Sequence, residues 1–198
     1  GRGIIHCEEP HEEFLKTGGR THGFQIWVNL PASHKMMDPR YQEVPSSSSP
    51  TVEQDGVWAR VIAGECMGVT SSIDTVIPIA LVHVKMKPGT RLIQSFESQL
   101  NGMIYMFGGE ANIANPIQVK NRPQIFGLGT RQNIRDGELA LLSEGDEIVI
   151  DCKSAAEFLI LSGPELNEPI ARHGPFVMNT REEIVQAFSD YQNGTFAN

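Results

Sequence analysis

Two residues near the start of the chain have the types and the spacing of metal ligands. His6 and Glu8 stand two positions apart in a short apolar run, G-R-G-I-I-H-C-E at residues 1–8. In a β-strand, side chains two positions apart project from the same face, so the imidazole and the carboxylate would lie side by side. Imidazole and carboxylate are ligands of non-haem iron, zinc and manganese centres. The pair supplies half of such a site, and a solvated strand edge is the alternative interpretation.

Short β-strands are the elements that would position this pair. In residues 22–30 the pattern F-Q-I-W-V-N-L alternates apolar and mostly polar side chains, which predicts a half-buried strand ending at Pro31. Further strand-like runs are separated by Gly, Pro and Asp turn signals. These runs are residues 57–63, 77–87, 103–107, 139–142, 147–151 and 158–162. Many short strands at such spacing indicate an all-β sandwich or barrel.

A linker and one helix complete the predicted organisation. Residues 44–55 contain P-S-S-S-S-P with polar flanks, a composition typical of a linker or long loop. Near the end of the chain, Thr180 and Glu183 have the spacing of a capping box. The apolar positions that follow predict a helix with one buried face. That face consists of Ile184, Ala187, Phe188 and Tyr191.

Composition excludes several classes of function. Sixteen basic against twenty-four acidic residues give a net charge of −8, and no Lys/Arg cluster is present, which argues against direct nucleic-acid binding. The longest apolar run, residues 76–84, is far shorter than the roughly 20 residues that span a bilayer, so we expect no membrane insertion. Three widely spaced cysteines without a C-x-x-C motif suit a reducing compartment, and no signal or transit segment is visible. Any role at DNA would act through a protein partner.

Several long motifs in this chain resemble those of the pirins. They are G-R-G-I-I-H-C-E at residues 1–8, H-G-F-Q-I-W-V-N-L-P-A at 22–32, K-M-M-D-P-R-Y-Q at 35–42, V-I-A-G-E at 61–65, G-P-x-L-N-E-P-I at 163–170 and H-G-P-F-V-M-N-T-x-E-E-I at 173–184. The resemblance extends over essentially the whole chain. It implies an all-β bicupin fold, with two antiparallel β-barrels, the first one incomplete here, and a C-terminal α-helix. Residues 1–43 would then be the remainder of the N-terminal cupin domain, 44–55 the linker, and 56–198 the C-terminal cupin domain with its terminal helix.

The resemblance also implies an iron-binding function. Pirins hold iron, Fe(II) or Fe(III), on three histidines and one glutamate in the N-terminal barrel, and another divalent metal is the alternative. His6 and Glu8 match the last two of these ligands, and Glu8 would also be the catalytic residue that moves a proton. The family's activity is redox-responsive transcriptional co-regulation through a transcription factor or another protein partner. Several members show quercetin 2,3-dioxygenase activity, for which a flavonol is the small-molecule substrate. The implied location is the nucleus and cytoplasm in a eukaryote, and otherwise the cytoplasm.

The chain departs from the family pattern at the other two ligands. They come from an H-x-H motif on earlier strands, and no H-x-H occurs in this sequence. We expect the sequence to be a fragment of a longer pirin; the alternative is a shortened, metal-free scaffold. No histidine occurs in the eight residues after Pro88-Gly89, T-R-L-I-Q-S-F-E, or in the seven after Gly145-Asp146, E-I-V-I-D-C-K, so we expect the second barrel to be metal-free. The other histidines considered as ligands, His22, His83 and His173, are interpreted as structural.

Overall fold

The computed structural model describes residues 1–7, 9–97, 99–114, 133–143 and 145–197. Contacts divide the chain into two compact units, which we call the terminal unit and the sheet unit. The terminal unit consists of residues Gly1–Tyr41 and Leu166–Asn198, and the sheet unit consists of Gln42–Glu165. Most of the regular structure is β, and a helix lies near the C-terminus, as the sequence predicts.

The sheet unit is built from antiparallel strands. They are β1 Thr51–Gln54, β2 Val57–Ala63, β3 Glu65–Cys66, β4 Val69–Thr70, β5 Ala80–Met86, β6 Arg91–Ser95, β7 Leu100–Ala114, β8 Asn133–Arg135, β9 Leu139–Leu141, β10 Glu147–Asp151 and β11 Ala156–Pro164. Within the described ranges, nine of them form one sheet in the order β1-β2-β5-β11-β7-β10-β6, with β8 and β9 also paired to β7. Strands β3 and β4 form a separate small hairpin. Apart from the β1–β2 hairpin, strands that are adjacent along this path are distant in sequence, so the sheet connects most of the unit.

The long strand β7 curls the sheet. Its first part pairs with β9 and β11, and its last part pairs with β8 and β10. Gly109 lies between the two parts with φ +73°, and a Cβ there would stand 1.9 Å from the carbonyl oxygen of Ala155. Only glycine fits this close approach at a positive φ. The register of β11 shifts between Glu157 and Phe158 at the same place, which is typical of a β-bulge that bends a sheet.

The core of the sheet unit lies on the inner face of this curled sheet. Strand β2 shows why: its alternate residues from Val57 to Ala63 are buried, as the period of two dictates. The largest fully buried side chains are Phe158, Ile104, Met106, Ile150, Ile160, Val57, Val61, Val82, Val84 and Cys66. These residues come from β2, β3, β5, β7, β10 and β11, so the core joins strands from the whole length of the unit.

A hairpin lies partly inside the stretch predicted as a linker. Strand β1 pairs with β2, and Asp55 and Gly56 form the two-residue connection with φ values of 51° and 79°. Asp-Gly with two positive φ angles is the preferred chemistry of a type I′ turn. The predicted linker 44–55 therefore contains strand residues at its end. The first boundary between the compact units falls between Tyr41 and Gln42. Residues 166–198, assigned from sequence to the second domain, group with residues 1–41, and the division into cupin domains stays a prediction.

The terminal unit contains α1 Glu12–Thr17, a 3-10 turn at Ala32–His34, β12 Ala171–His173, β13 Phe176–Met178 and α2 Arg181–Gln192. Helix α2 begins with the predicted capping box: the Glu183 amide donates to Thr180 Oγ1 at 3.2 Å, and the Thr180 amide donates to Glu183 Oε2 at 2.8 Å. Ile184 and Ala187 are buried against Phe176. Of the predicted apolar face, Phe188 is half-buried and Tyr191 is exposed.

The two strands predicted in the first thirty residues are not formed. Neither residues 1–7 nor residues 22–30 adopt helix or strand in the structure. An alternating pattern specifies a strand only where a neighbouring strand accepts its backbone hydrogen bonds. In 22–30 the apolar side chains are accordingly far from buried, with Trp27 55% exposed and Val28 50% exposed. No helix within the described part of the chain has both the length and the apolar character needed to cross a membrane.

Candidate functional site

Of the two predicted metal ligands, the structure describes only His6, at the start of the terminal unit. His6 is exposed and belongs to no regular element, and Glu8 lies outside the described residues. The neighbouring Cys7 thiol donates to Glu9 Oε1 at 3.3 Å. Within the described parts of the chain, no three His, Cys, Asp or Glu side chains are grouped so that they could hold a metal ion. The one described donor, His6, does not make a site for a divalent ion, so iron here would need Glu8 and further ligands.

The interior of the sheet unit presents mostly aliphatic side chains. After the Pro88-Gly89 turn, Leu92 and Gln94 are the buried residues of β6, and the Gln94 amide donates to the Ser95 carbonyl at 2.8 Å. Ile148 and Ile150 occupy the facing strand β10. Aliphatic groups and one amide lack the imidazole and carboxylate donors that transition metals prefer. These positions fill the core.

The two buried cysteines are also poor ligands. Burial, together with the charge of Glu65, raises the pKa of the Cys66 thiol to about 11. Burial likewise raises the pKa of Cys152, whose thiol donates to the Ser154 carbonyl. A protonated thiol is neither a nucleophile nor a metal ligand. Both side chains therefore serve packing in the sheet unit.

His83 lies in a cluster of charged and aromatic side chains on the sheet unit. Its Nε2 is 2.8 Å from Glu157 Oε1, and Lys85 Nζ is 3.1 Å from the same oxygen. Its ring packs against Trp58 and Phe107, with centroids 5.3 and 5.5 Å apart. Burial lowers the pKa of His83, although Glu157 opposes this shift. His83 thus has the hydrogen-bonded and packed surroundings of a structural histidine.

The other two histidines considered as ligands contact aromatic rings in the terminal unit. The His22 ring lies 5.6 Å from the ring of Phe24. The His173 ring meets the Phe188 ring edge-on, with the centroids 5.3 Å apart. Neither belongs to a group of metal-ligating side chains among the residues that the structure describes.

The most distinctive sequence motifs meet in a polar network of the terminal unit. Glu168 Oε2 accepts from the Ala32 amide at 2.7 Å and from Asn179 Nδ2 at 3.1 Å. Glu183 Oε2 accepts from the amides of Asn179 and Thr180 at 2.9 and 2.8 Å. The motifs at residues 22–32, 163–170 and 173–184 are thus joined by carboxylates that accept hydrogen bonds from backbone amides. The first role of Glu168 and Glu183 is therefore to stabilise the terminal unit.

Lys35 is the functional candidate that the sequence did not reveal. Its side chain is only 7% exposed, and its ammonium donates to the Leu30 carbonyl at 2.6 Å and to Asn29 Oδ1. Burial lowers its pKa, while the charges of Glu168 and Glu183 act in the opposite direction. A lysine is rarely buried so deeply, and a perturbed one marks a candidate site. The K-M-M-D-P-R motif contained the residue but gave no signal of its burial.

Lys35 lines a cavity of about 660 Å³ in the terminal unit. The apolar part of the wall includes Trp27, Leu30, Met36, Ile170, Phe176 and Met178. Arg172 lies over the Trp27 ring at 5.1 Å from its centroid, which is the geometry of a cation–π contact. The size and the mixture of apolar walls with a few polar groups are typical of small-molecule sites.

Comparison with known proteins agrees with this fold. A family model described as the Pirin C-terminal cupin domain matches residues 81–197. Human pirin is 36% identical over 195 residues, which cover 98% of this chain and 61% of the human protein. Pirin-1 of Arabidopsis thaliana is 34% identical over 196 residues, covering 98% of this chain and 62% of the plant protein.

A solved structure titled as quercetin 2,3-dioxygenase from Acinetobacter baumannii superposes with a TM-score of 0.73 at 28% identity. The superposition covers 87% of this chain and 56% of that one. The antiparallel curled sheet and this neighbour define a protein of the cupin class. The chain belongs to the pirin family. It spans about 61% of the length of the human relative.

Proposed function

We propose that this chain belongs to an iron-binding, redox-responsive co-regulator of transcription that acts through a protein partner. Membership of the pirin family is the observation that carries the proposal. The position of His6 and Glu8 in the pirin-like motif at residues 1–8 supports the metal ligands. The net charge of −8 favours a protein partner over direct contact with nucleic acid.

In this proposal His6 and Glu8 hold the metal together with two further histidines. Iron bound there would supply two oxidation states that differ by one charge. His6 would fix the metal through a neutral imidazole, and Glu8 would provide a carboxylate oxygen. The described residues contain no complete donor set, so the proposal includes two further ligands that they do not supply. A metal-free scaffold is the alternative if no such ligands exist.

A second candidate function is quercetin 2,3-dioxygenase. The specific observation in its favour is the solved neighbour of that name, which is 28% identical with a TM-score of 0.73. In this reading a flavonol is the substrate, and Glu8 is placed to accept or return a proton of its hydroxyl group. Both functions use the same ligands, so they differ in what the protein does once metal is bound.

Two assays separate the candidates. Both use the 198-residue chain and a chain extended upstream of Gly1 by the corresponding segment of human pirin, each loaded with Fe(II). The enzyme predicts consumption of quercetin and dioxygen that Glu8→Gln abolishes. The co-regulator predicts that binding to a transcription-factor partner changes between Fe(II) and Fe(III), without turnover. Absence of both effects in the metal-loaded extended chain would contradict both proposals and favour the scaffold.

We also propose the nucleus and the cytoplasm as the location if the source is eukaryotic, and otherwise the cytoplasm. The curated relatives from human and Arabidopsis thaliana support the eukaryotic case, because both belong to nucleated organisms. Fluorescent tagging of the protein in its own cells tests this proposal.

A further inference from the structure

The cavity of the terminal unit combines an apolar wall with a buried positive charge. Trp27, Met36 and Ile170 line it and are at least half exposed, so its wall offers apolar surface to a ligand. Contiguous apolar surface that is exposed in a cavity is a candidate binding surface. Lys35 lines the same cavity but is itself almost completely buried.

The hydrogen bonds of Lys35 leave room for one more acceptor. An ammonium group has three N–H donors. Among the described residues two acceptors are placed for it, the Leu30 carbonyl and Asn29 Oδ1, and both are neutral. The carboxylates of Glu168 and Glu183 influence Lys35 only electrostatically, as neighbouring charges. A ligand oxygen could therefore take the third donor.

The acidic side chains of the cavity already have partners. Glu183 Oε2 accepts from the Asn179 and Thr180 amides, and Asp190 Oδ1 accepts from Gln186 Nε2 at 2.7 Å. On the basic side, Arg172 rests on the Trp27 ring at the cavity wall. Lys35 and Arg172 are thus two positively charged side chains that line the cavity beside these hydrogen-bonded carboxylates.

We propose that this cavity binds a small apolar molecule carrying one carboxylate, with the carboxylate on Lys35 and the apolar part against Trp27, Met36 and Ile170. A carboxylate suits the position because a charge-assisted hydrogen bond to a buried ammonium is stronger than a neutral one. The apolar part gains from removing the exposed wall from water. This site uses neither His6 nor Glu8 and does not depend on the proposed iron.

Decanoate and 1-decanol are the matched probes. They share an apolar chain and differ in the carboxylate. Trp27 lies in the cavity wall, so its fluorescence reports binding when the other tryptophan is removed by Trp58→Phe. We expect decanoate to change the Trp27 emission saturably and to bind at least about tenfold more tightly than decanol. Equal affinities, or no saturable binding of decanoate, would overturn the proposal.

Lys35→Met tests the residue itself. It keeps a long side chain and removes the charge, so decanoate affinity should fall about tenfold or more while decanol affinity stays within about twofold. Lys85→Met, which removes an exposed lysine from the sheet unit, is the control and should leave both affinities unchanged. Unchanged decanoate binding by a folded Lys35→Met protein would overturn the proposal.

A second measurement covers the case in which Lys35→Met fails to fold. In the protein with its native lysine, nuclear Overhauser contacts between decanoate and the Trp27 indole and Met36 methyl protons should appear. Their appearance together with the preference over decanol supports the site. Contacts at Trp58 of the unsubstituted protein instead would overturn it.

Discussion

One carboxylate oxygen of Glu157, Oε1, accepts hydrogen bonds from both His83 and Lys85. This arrangement makes the stability of the sheet unit depend on pH. Burial opposes ionisation of Glu157, but hydrogen bonds from Lys85 and His83 outweigh it and lower its pKa. Burial also lowers the pKa of His83 despite the carboxylate beside it. A neutral imidazole still donates its Nε2 hydrogen to Glu157, so the structure favours neutral His83 next to an ionised carboxylate.

We therefore expect acid to weaken the sheet unit in two steps. A lowered pKa means that the unfolded chain binds the proton more readily, so the contribution of His83 is complete above about pH 6.5 and is lost as pH falls below that value. The contribution of Glu157 is lost at lower pH, below about 4.3. His83→Gln keeps a donor and should flatten the fall in the free energy of unfolding between pH 7 and 5, measured by denaturant titration.

A histidine of the other compact unit provides the control for this pH dependence. His173→Gln should retain the full slope between pH 7 and 5, because His173 lies in the terminal unit. An unchanged slope in His83→Gln would show that burial of His83 does not control the response.

The three cysteines should differ sharply in reactivity. Cys7 is exposed, whereas Cys66 and Cys152 are buried, with pKa values raised by that burial. Thiolate is the reactive form, so one thiol per chain should react rapidly with a disulfide reagent at pH 8 and the other two only after unfolding. Cys7→Ser should remove the rapid phase. A rapid phase that survives in Cys7→Ser would contradict the assignment.

Residue roles were predictable from sequence only where the partner is local. The capping pair Thr180 and Glu183 stands three positions apart, so its geometry follows from helix structure alone. Lys35 meets Glu168 and Glu183 across more than a hundred residues of sequence, and no local pattern indicates that approach. Gln94 became a core residue for the same reason, because its strand β6 pairs with the distant strand β10.

At the scale of elements, helix α2 is held by its cap and by an aromatic cluster. The Phe176 ring is buried and meets the rings of Phe188 and Phe196 at 4.8 and 5.1 Å. Phe176→Ala should lower the free energy of unfolding of the terminal unit by about 3 kcal/mol or more. Thr180→Ala removes only the capping oxygen and should cost about 1 kcal/mol. Chemical denaturation followed by circular dichroism measures both.

The matched control for the cap is Thr180→Ser, which keeps the hydroxyl and should stay close to the unsubstituted protein. The loss of unfolding free energy in Phe188→Ala should lie between the losses in Phe176→Ala and Thr180→Ala, because Phe188 is only half-buried. If Thr180→Ala proved more damaging than Phe176→Ala, the aromatic cluster would not be what holds the helix.

Strands were predictable where the structure pairs them with neighbouring strands. Strands β2 and β10 have the bounds expected from alternation and turn signals, because both sit between hydrogen-bonded neighbours. The run at residues 22–30 has an equally clear alternation but no ladder in the structure. The Asp55-Gly56 hairpin was overlooked because the serine-rich composition before it favoured a linker. An alternating pattern therefore shows that a segment is able to form a strand. Whether the strand forms depends on a neighbouring strand that pairs with it.

At the scale of the whole molecule, the stretch before β1 should be the first point of proteolytic attack in this region. Residues 45–48 are exposed and lie in a turn, whereas Thr51–Gln54 pair with β2. Brief digestion with a broad-specificity protease should cleave between residues 42 and 50 before it cleaves within 51–63. Mass spectrometry of the early fragments identifies the sites. Early cuts inside β1 or β2 would contradict the hairpin.

The fold class was predictable because many separate segments each have the pattern of a β-strand. Only two of the proposed metal ligands were predictable. His6 and Glu8 are recognisable by their i, i+2 spacing and by the family motif. Their remaining ligands would come from other strands, and an H-x-H motif is absent from this sequence. A site assembled from separate segments can be completed only when all of them are known.

Metal content measured after dialysis tests the central proposal most directly. The 198-residue chain should retain little iron, and the chain extended upstream by the corresponding human pirin segment should retain about one iron per molecule. In that extended chain His6→Ala and Glu8→Ala should each lower iron content sharply, because losing one ligand also misorients its neighbours. His22→Ala, His83→Ala and His173→Ala should leave it nearly unchanged. Full iron occupancy in both the His6→Ala and the Glu8→Ala proteins would show that these residues are not the metal ligands.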